Sequence, residues 1–186
     1  LGEKVVVFRK QDGQPAALED ACPHRKLPLS MGRVIGDHLE CGYHGMTFDC
    51  SGGCVRVPGQ ERVPPSATVR SFPVESRWGL VWIWMGDPAL ADPASIFEVA
   101  HYDDPAWGIN RGDPIDIDCN YLLVTDNLLD PSHVAWVHQS SFGSAACEEE
   151  PLHVDVADDG VTVWRWMLDV DPAPFYAKLL PFDGKC

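Results

Sequence analysis

The chain is 186 residues long and carries 28 Asp or Glu against 14 Lys or Arg, a formal net charge of −14. That balance offers no basic stripe to neutralise phosphates, which excludes nucleic acid as a partner. No apolar run approaches the ~20 residues that span a bilayer, so no membrane span is expected. The seven cysteines are an odd number and no disulfide framework, which points to a reducing cytoplasm.

The charge is unevenly placed. Residues 1–90 hold ten basic and ten acidic residues, whereas 91–186 hold four and eighteen. Such a break predicts two units with different surfaces, and the length allows for them. The chain starts at Leu1 without a methionine and stops at Cys186 without a closing element, so it is expected to be a piece of a longer protein.

The first half reads as β structure. Lys4–Arg9 is strand-like and is followed by a turn at Gln11–Gln14. Pro15–Asp20 leads to a first loop, Asp37–Glu40 precedes a second, and Met46–Phe48 follows it. Ser51-Gly52-Gly53 reads as a hairpin end, with Cys50 and Cys54 on either side. Val55–Val57 and Ala67–Val74 continue the pattern, and Trp78–Met85, aromatic and β-branched, is the strongest strand. Short strands between Gly/Pro turns imply a small antiparallel barrel or sandwich.

The two loops carry the chemistry. Cys22-Pro-His24 and Cys41-Gly-Tyr-His44 stand sixteen residues apart. Two thiolates and two imidazoles, one of each per loop, are the ligand set of a Rieske [2Fe–2S] cluster, with cysteine on one iron and histidine on the other. Neutral imidazoles in place of thiolates remove negative charge and raise the potential. Gly32, Gly36 and Gly42 supply backbone freedom near the metal, and Leu27, Pro28, Leu29 and Met31 are expected to shield it. Zinc also takes Cys2His2, but common zinc patterns keep Cys with Cys and His with His.

Gly86–Pro93 reads as a connector, giving units at 1–88 and 89–186. Beyond it, Asn120–Val137 reads as helical. Leu152–Val156 and Val161–Leu168 form a hairpin around Asp158-Asp159-Gly160. The second unit is α+β with an antiparallel sheet that looks unfinished.

Asp126–His138 contains D-x2-H-x4-H, with His133 and His138 as candidate ligands. A mononuclear non-haem Fe(II) site needs two histidines and a carboxylate on one face, with the other positions open. Residues five apart on a regular helix diverge by about 140°. Asp130-Pro131 offers a way around this: the residue before proline avoids the α region, and proline suits the first helical position. Asp130 then caps a helix whose first turn holds His133. Alone, two histidines on a Trp-containing helix also read as ordinary core residues. Asn127 faces either the iron or solvent, and Tyr121, Leu128 and Trp136 are expected to pack in a core.

Together, Cys22–Ser30, Cys41–Asp49 and the Asp126–His138 helix resemble the Rieske non-haem iron oxygenases. Val69–Glu75, Val81–Trp84, Gly86–Pro93 and Asp118–Leu122 are similar to the vanillate and dicamba O-demethylase oxygenase components. The resemblance implies an all-β Rieske [2Fe–2S] domain followed by a truncated α+β catalytic domain with antiparallel sheet. It makes Cys22, His24, Cys41 and His44 the cluster ligands and His133 and His138 ligands of a mononuclear Fe(II). The third ligand, a carboxylate, is then expected beyond Cys186; Asp155, Asp169 and Asp171 are weaker candidates.

The resemblance further implies that Asp130 bridges His133 or His138 to a cluster histidine of a neighbouring subunit in a homotrimer. A flavin and iron–sulfur reductase, drawing on NAD(P)H, supplies electrons. O2 and a small aromatic substrate then meet at the iron. A methoxylated aromatic acid is hydroxylated on its methyl group, and the hemiacetal collapses to a phenol and formaldehyde. The competing reading is a Rieske ferredoxin-like electron carrier without oxygen chemistry, which needs only the first half of the chain.

Overall fold

The structure is a computed structural model that describes residues 2–110, 112–179 and 184–186. The chain divides into two compact units, residues 1–111 and 112–186.

The first unit is built of antiparallel strands. β1 (Val5–Arg9) and β2 (Pro15–Glu19) form a hairpin in register from Val5 opposite Glu19 to Arg9 opposite Pro15. Alternation puts Val6 and Phe8 inward and leaves Val7 and Arg9 outside. The second sheet follows in simple meander order: β3 (Arg33–Ile35), β4 (His38–Glu40), β5 (Thr47–Phe48) and β6 (Cys54–Arg56). The chain then returns as β7 (Ser71–Phe72) to pair with β2. A separate hairpin, β8 (Val74–Arg77) and β9 (Leu80–Ile83), closes the strand run.

One core holds both sheets. Leu18, Leu29 and Phe48 are fully buried, and Val6, Phe8, Ala16, Leu39 and Val69 surround them. Cys22 and Cys41 belong to the same cluster. The all-β reading of this half therefore holds, with two local differences. β3 carries a pattern too short to register as a strand. Trp78–Met85 is not one strand, because Trp78 (φ 60°) and Gly79 (φ 73°) form the two-residue turn between β8 and β9. Positive φ at both central residues matches the right-handed twist of the flanking strands.

The expected boundary at residue 88 falls short of the observed division at 111/112. Side chains of β8–β9 hold the segment that follows. The Trp78 indole N–H donates to the Phe97 carbonyl at 3.0 Å and an Arg77 guanidinium N–H to that of Pro93 at 3.4 Å. Trp82 packs edge-on to Phe97 and Trp78 to Tyr102.

The second unit holds α1 (Tyr121–Leu129), α2 (Val134–Val137), α3 (Ala146–Glu149), the hairpin of β10 (His153–Ala157) and β11 (Gly160–Trp164), and α4 (Pro174–Leu179). The α+β reading with antiparallel strands holds. The strand expected to run to Leu168 ends at Trp164. Asn120 caps α1 by accepting from the Leu122 N–H at 3.0 Å. No residue of α1 is buried. Tyr121, Leu128 and Trp136, expected in a core, are 62%, 75% and 65% exposed, because no described element covers these faces. None of the described helices is long and apolar enough to cross a membrane.

Candidate metal centres

The two ligand loops are built alike, which the sequence did not reveal. In the first, the Cys22 N–H donates to the Leu27 carbonyl at 2.9 Å and the Lys26 N–H to the Cys22 carbonyl at 2.8 Å. In the second, the Cys41 N–H donates to the Met46 carbonyl at 2.8 Å and the Gly45 N–H to the Cys41 carbonyl at 3.1 Å. Each cysteine thus closes a loop with the residues four and five positions on. The residue four on has positive φ in both, Lys26 at 57° and Gly45 at 71°. Glycine marks such a position plainly; lysine does not, because its Cβ disfavours it.

Backbone contact fixes one loop against the other. A Cβ on Gly32 would stand 2.0 Å from the Glu40 carbonyl oxygen, and one on Gly42 would stand 2.8 Å from that of Met31. Gly36 has a different job: it turns the β3–β4 hairpin at φ 61°. Of the expected shielding residues, Leu29 is fully buried and Leu27 packs on the core, but Met31 is 67% exposed.

This frame sorts the four candidate ligands by type. Cys22 and Cys41 are each 2% exposed, and both belong to the one buried cluster at the core. The imidazoles of His24 and His44 face solvent with ring centroids 4.8 Å apart. Tyr43 stacks on His44 at 3.9 Å. Burial pushes the Cys22 thiol above the usual range and the neighbouring Cys41 adds to this, while the backbone N–H groups of His24 and Arg25 oppose it. A sulfur pair at the core and a nitrogen pair at the surface suit a two-iron cluster, in which each iron takes two protein ligands of one kind.

The second candidate centre lies around Asp130. α1 ends there, with Asp130 at φ −105°, ψ 79°. A single 3-10 turn, Pro131–His133, leads into α2. The Asp130 carboxylate caps that turn by accepting from the Ser132 N–H at 3.1 Å. The break lets the rings of His133 and His138 come within 5.3 Å, centroid to centroid. The Nδ1 of His133 meets the backbone carbonyl of Asp130 rather than its carboxylate. A carbonyl accepts only, so Nδ1 carries the proton and Nε2 keeps its lone pair for a metal.

His138 is pinned through its backbone. Its carbonyl accepts from the N–H groups of Ser141 and Gly143 and from the Ser141 hydroxyl. Its ring packs on Phe142, which packs on Phe175. Asn127 is exposed, and its carbonyl accepts from the Asp130 N–H at 3.4 Å.

Among the described residues no three His, Cys, Asp or Glu side chains converge on one point. The two-by-two arrangement of the first centre does not require that. For the second, it means that no described carboxylate joins the histidine pair. Asp155 instead accepts from the Trp164 indole at 2.7 Å, within the β10–β11 hairpin.

Residues 1–73 match the Rieske [2Fe-2S] domain, and residues 117–186 match the vanillate O-demethylase oxygenase C-terminal domain. The chain belongs to the Rieske non-haem iron oxygenases. It is 46% identical to the putative toluene-4-sulfonate monooxygenase system iron-sulfur subunit TsaM2 of Comamonas testosteroni, covering 100% of this chain and 54% of that protein. It is 42% identical to the vanillate O-demethylase oxygenase subunit of Pseudomonas sp. (strain HR199 / DSM 7063), covering 98% of this chain and 51% of that one. The crystal structure of dicamba monooxygenase bound to 3,6-dichlorosalicylic acid superposes with a TM-score of 0.86 at 38% identity, over 100% of this chain and 54% of that chain. The chain spans about half the length of the curated relatives it matches. The cofactors of the family are a Rieske [2Fe–2S] cluster and a mononuclear non-haem iron.

Proposed function

We propose that this chain is the cluster-bearing and histidine-bearing part of a terminal oxygenase that hydroxylates a small aromatic substrate, most simply by O-demethylation of a methoxylated aromatic acid. The sorting of Cys22 and Cys41 into the buried core and of His24 and His44 into a ring pair at the surface carries the reading. Cys22 and Cys41 hold one iron of the cluster and His24 and His44 the other; His133 and His138 hold the mononuclear iron. When bound, these groups supply electron storage and oxygen activation.

The protein's own residues set the conditions. The apolar core keeps water from the two cysteine sulfurs, while the exposed imidazoles give the cluster end an edge that a partner can reach. The Asp130 carbonyl holds the proton of His133 on Nδ1 and so orients the ring. The Asp130 carboxylate, engaged at one oxygen by the Ser132 N–H, keeps its second oxygen for a histidine of a neighbouring copy in a homotrimer. Asn127 flanks the same site.

A flavin and iron–sulfur reductase using NAD(P)H is the electron source, and O2 the co-substrate. None of the seven cysteines is paired in a disulfide, which supports a cytoplasmic setting. The match of residues 117–186 to an oxygenase domain weighs against a simple electron carrier.

Iron analysis and EPR test the assignment. Cys22→Ser abolishes the signal of the reduced cluster, whereas His133→Ala keeps it and removes only the non-cluster iron. A wild-type cluster signal in Cys22→Ser would refute the ligand set. Oxygen uptake with reductase and a methoxybenzoate, releasing formaldehyde, tests the reaction.

A further inference from the structure

We propose that Arg165 anchors the acid group of the aromatic substrate, a carboxylate or a sulfonate. This rests on the oxygenase reading above. Two guanidinium nitrogens of Arg165, Nε and Nη1, are buried and have no hydrogen-bond partner among the described residues. No other buried side-chain nitrogen or oxygen of the described residues is left in that condition. A charged donor taken out of water and left unpaired is costly, and a guanidinium cannot shed its charge by deprotonation. An oxyanion supplies both the missing acceptors and the opposite charge.

The backbone turns this side chain inward. Along β11 and just past its end, Val163 and Arg165 are half-buried, while Thr162, Trp164 and Trp166 are exposed. That is the alternation of an extended chain, so Arg165 shares the inner side with Val163. The next residue of the series, Met167, sets its sulfur 3.8 Å from that of the buried Cys147 on α3. In turn, α3 packs against α2 and against the Pro131–His133 turn. One short helix thus links the segment that carries Arg165 to the turn that carries His133.

The charge of the second unit sets this arginine apart. Residues 112–186 hold three Lys or Arg against fourteen Asp or Glu. Lys178 and Lys185 are exposed, which leaves Arg165 as the cation turned inward. The surface of such a unit repels an anionic substrate, which therefore needs a fixed positive charge inside. The nearby carboxylates do not claim it. Asp155 accepts from the Trp164 indole, and neither Glu148 nor Glu149 of α3 accepts from Nε or Nη1. Arg165 takes no proton and forms no bond. It fixes the acid-bearing end of a rigid ring, so that the methyl group to be oxidised is presented at a set distance from that end.

The probes are 4-methoxybenzoate and its uncharged analogue 4-methoxybenzamide, added without reductant to the intact oxygenase, with binding read by calorimetry. The unmodified protein is expected to bind the acid at least about tenfold more tightly than the amide, as hydrogen bonds to a charged group do. Arg165→Met removes the charge and keeps an unbranched side chain. It is expected to weaken acid binding about tenfold to a hundredfold and to leave amide binding within about twofold, erasing the preference. Arg165→Lys is expected to restore part of the preference, because it keeps the charge without the planar fork. The cluster EPR signal and the non-cluster iron are expected to stay at wild-type levels in both variants.

Equal affinity of the unmodified protein for acid and amide overturns the proposal without any variant. So does an acid preference that survives in Arg165→Met, and so does equal weakening of both probes. A lowered melting temperature in Arg165→Met with the preference intact assigns the guanidinium to a carboxylate of the protein itself and also overturns it. Failure of the unmodified protein to bind either probe would instead be a failure of the aromatic-acid reading, and the anchor falls with it.

Discussion

Gly32→Ala tests whether backbone contact between the two loops sets the ligand geometry. The added Cβ would meet the Glu40 carbonyl oxygen at 2.0 Å and the Leu29 carbonyl oxygen at 3.0 Å. Ordinary contact begins near 3.4 Å, so the loops must part by about 1.4 Å where backbone, not a flexible side chain, has to yield. Overpacking of this kind costs about 1–3 kcal/mol. The same movement strains the β3–β4 pairing at Arg33 opposite Glu40. Losing one backbone hydrogen bond there adds about 1 kcal/mol, for a total of about 3 kcal/mol. In a unit of roughly a hundred residues that lowers Tm by about 15 °C.

The assay is thermal melting followed by near-ultraviolet circular dichroism, with iron and sulfide measured on the same samples. Cluster content is expected to fall with stability, because Cys41 directly follows Glu40. Gly108→Ala is the control, since nothing lies within 4 Å of its Cβ position and its φ is not positive. A Gly32→Ala protein that melts with the control and keeps full cluster content would refute the argument.

Three further outcomes follow from named groups. Asp130→Asn keeps a side chain that caps helices as well as aspartate does, so stability and cluster colour should persist while coupled turnover falls steeply; unchanged turnover removes Asp130 from the electron route. Glu40→Gln leaves Arg33 and Arg56, which donate to the Glu40 carboxylate at 2.8 and 3.5 Å, with a neutral acceptor and should cost about 1–2 kcal/mol in chemical denaturation, discounted for the exposure of both arginines; an unaltered midpoint would show the group contributes nothing to folding. Burial alone would raise the Asp49 carboxyl, but the Ser51 hydroxyl and the N–H groups of Ser51 and Gly53 outweigh it and hold the pKa below the usual value. A depressed folded-state pKa contributes stability above the unfolded pKa of ~3.9 and loses it as pH falls through the folded value. Asp49→Asn should therefore flatten the acid limb of the stability curve below about pH 4, and an identical acid limb would contradict this.

What the sequence disclosed was what short-range chemistry dictates. Asp130-Pro131 announced a helix break and cap, and the structure has both. Asp159-Gly160 announced a hairpin, and Ala157 pairs with Gly160 across it. Ser51-Gly52-Gly53 announced a turn, where Gly52 at φ 84° leaves no room for a Cβ beneath the Val69 carbonyl. The Cys22–His24 and Cys41–His44 loops stood out by residue type as candidate ligand loops.

What stayed hidden depends on distant partners. Trp78 sits at φ 60°, a conformation costing an L-residue roughly 1–2 kcal/mol. Its indole bond to Phe97 and its edge contact with Tyr102 hold it there, and neither is visible locally. The division at 111/112 was missed for the same reason. Residues 93–102 have the composition of a linker but are held by the rings of β8–β9.

The two candidate metal centres illustrate two ways of presenting imidazole. In the first, the fold supplies a buried base and an exposed edge: the cysteine backbones close the loops, their sulfurs join the hydrophobic core, and the histidines are left at the rim. In the second, the fold supplies only a kink. His133 and His138 would diverge on an uninterrupted helix, and the cap at Asp130 brings them to one side. Replacing Pro131 with alanine is therefore a sharper probe of the second centre than removing a histidine. Without proline, Asp130 is free to enter the α region, α1 and α2 can fuse, and the histidines separate by about 140°. Helicity should rise slightly while non-cluster iron falls and the cluster signal stays. If non-cluster iron binding survives Pro131→Ala at wild-type affinity, the kink is not what makes the site.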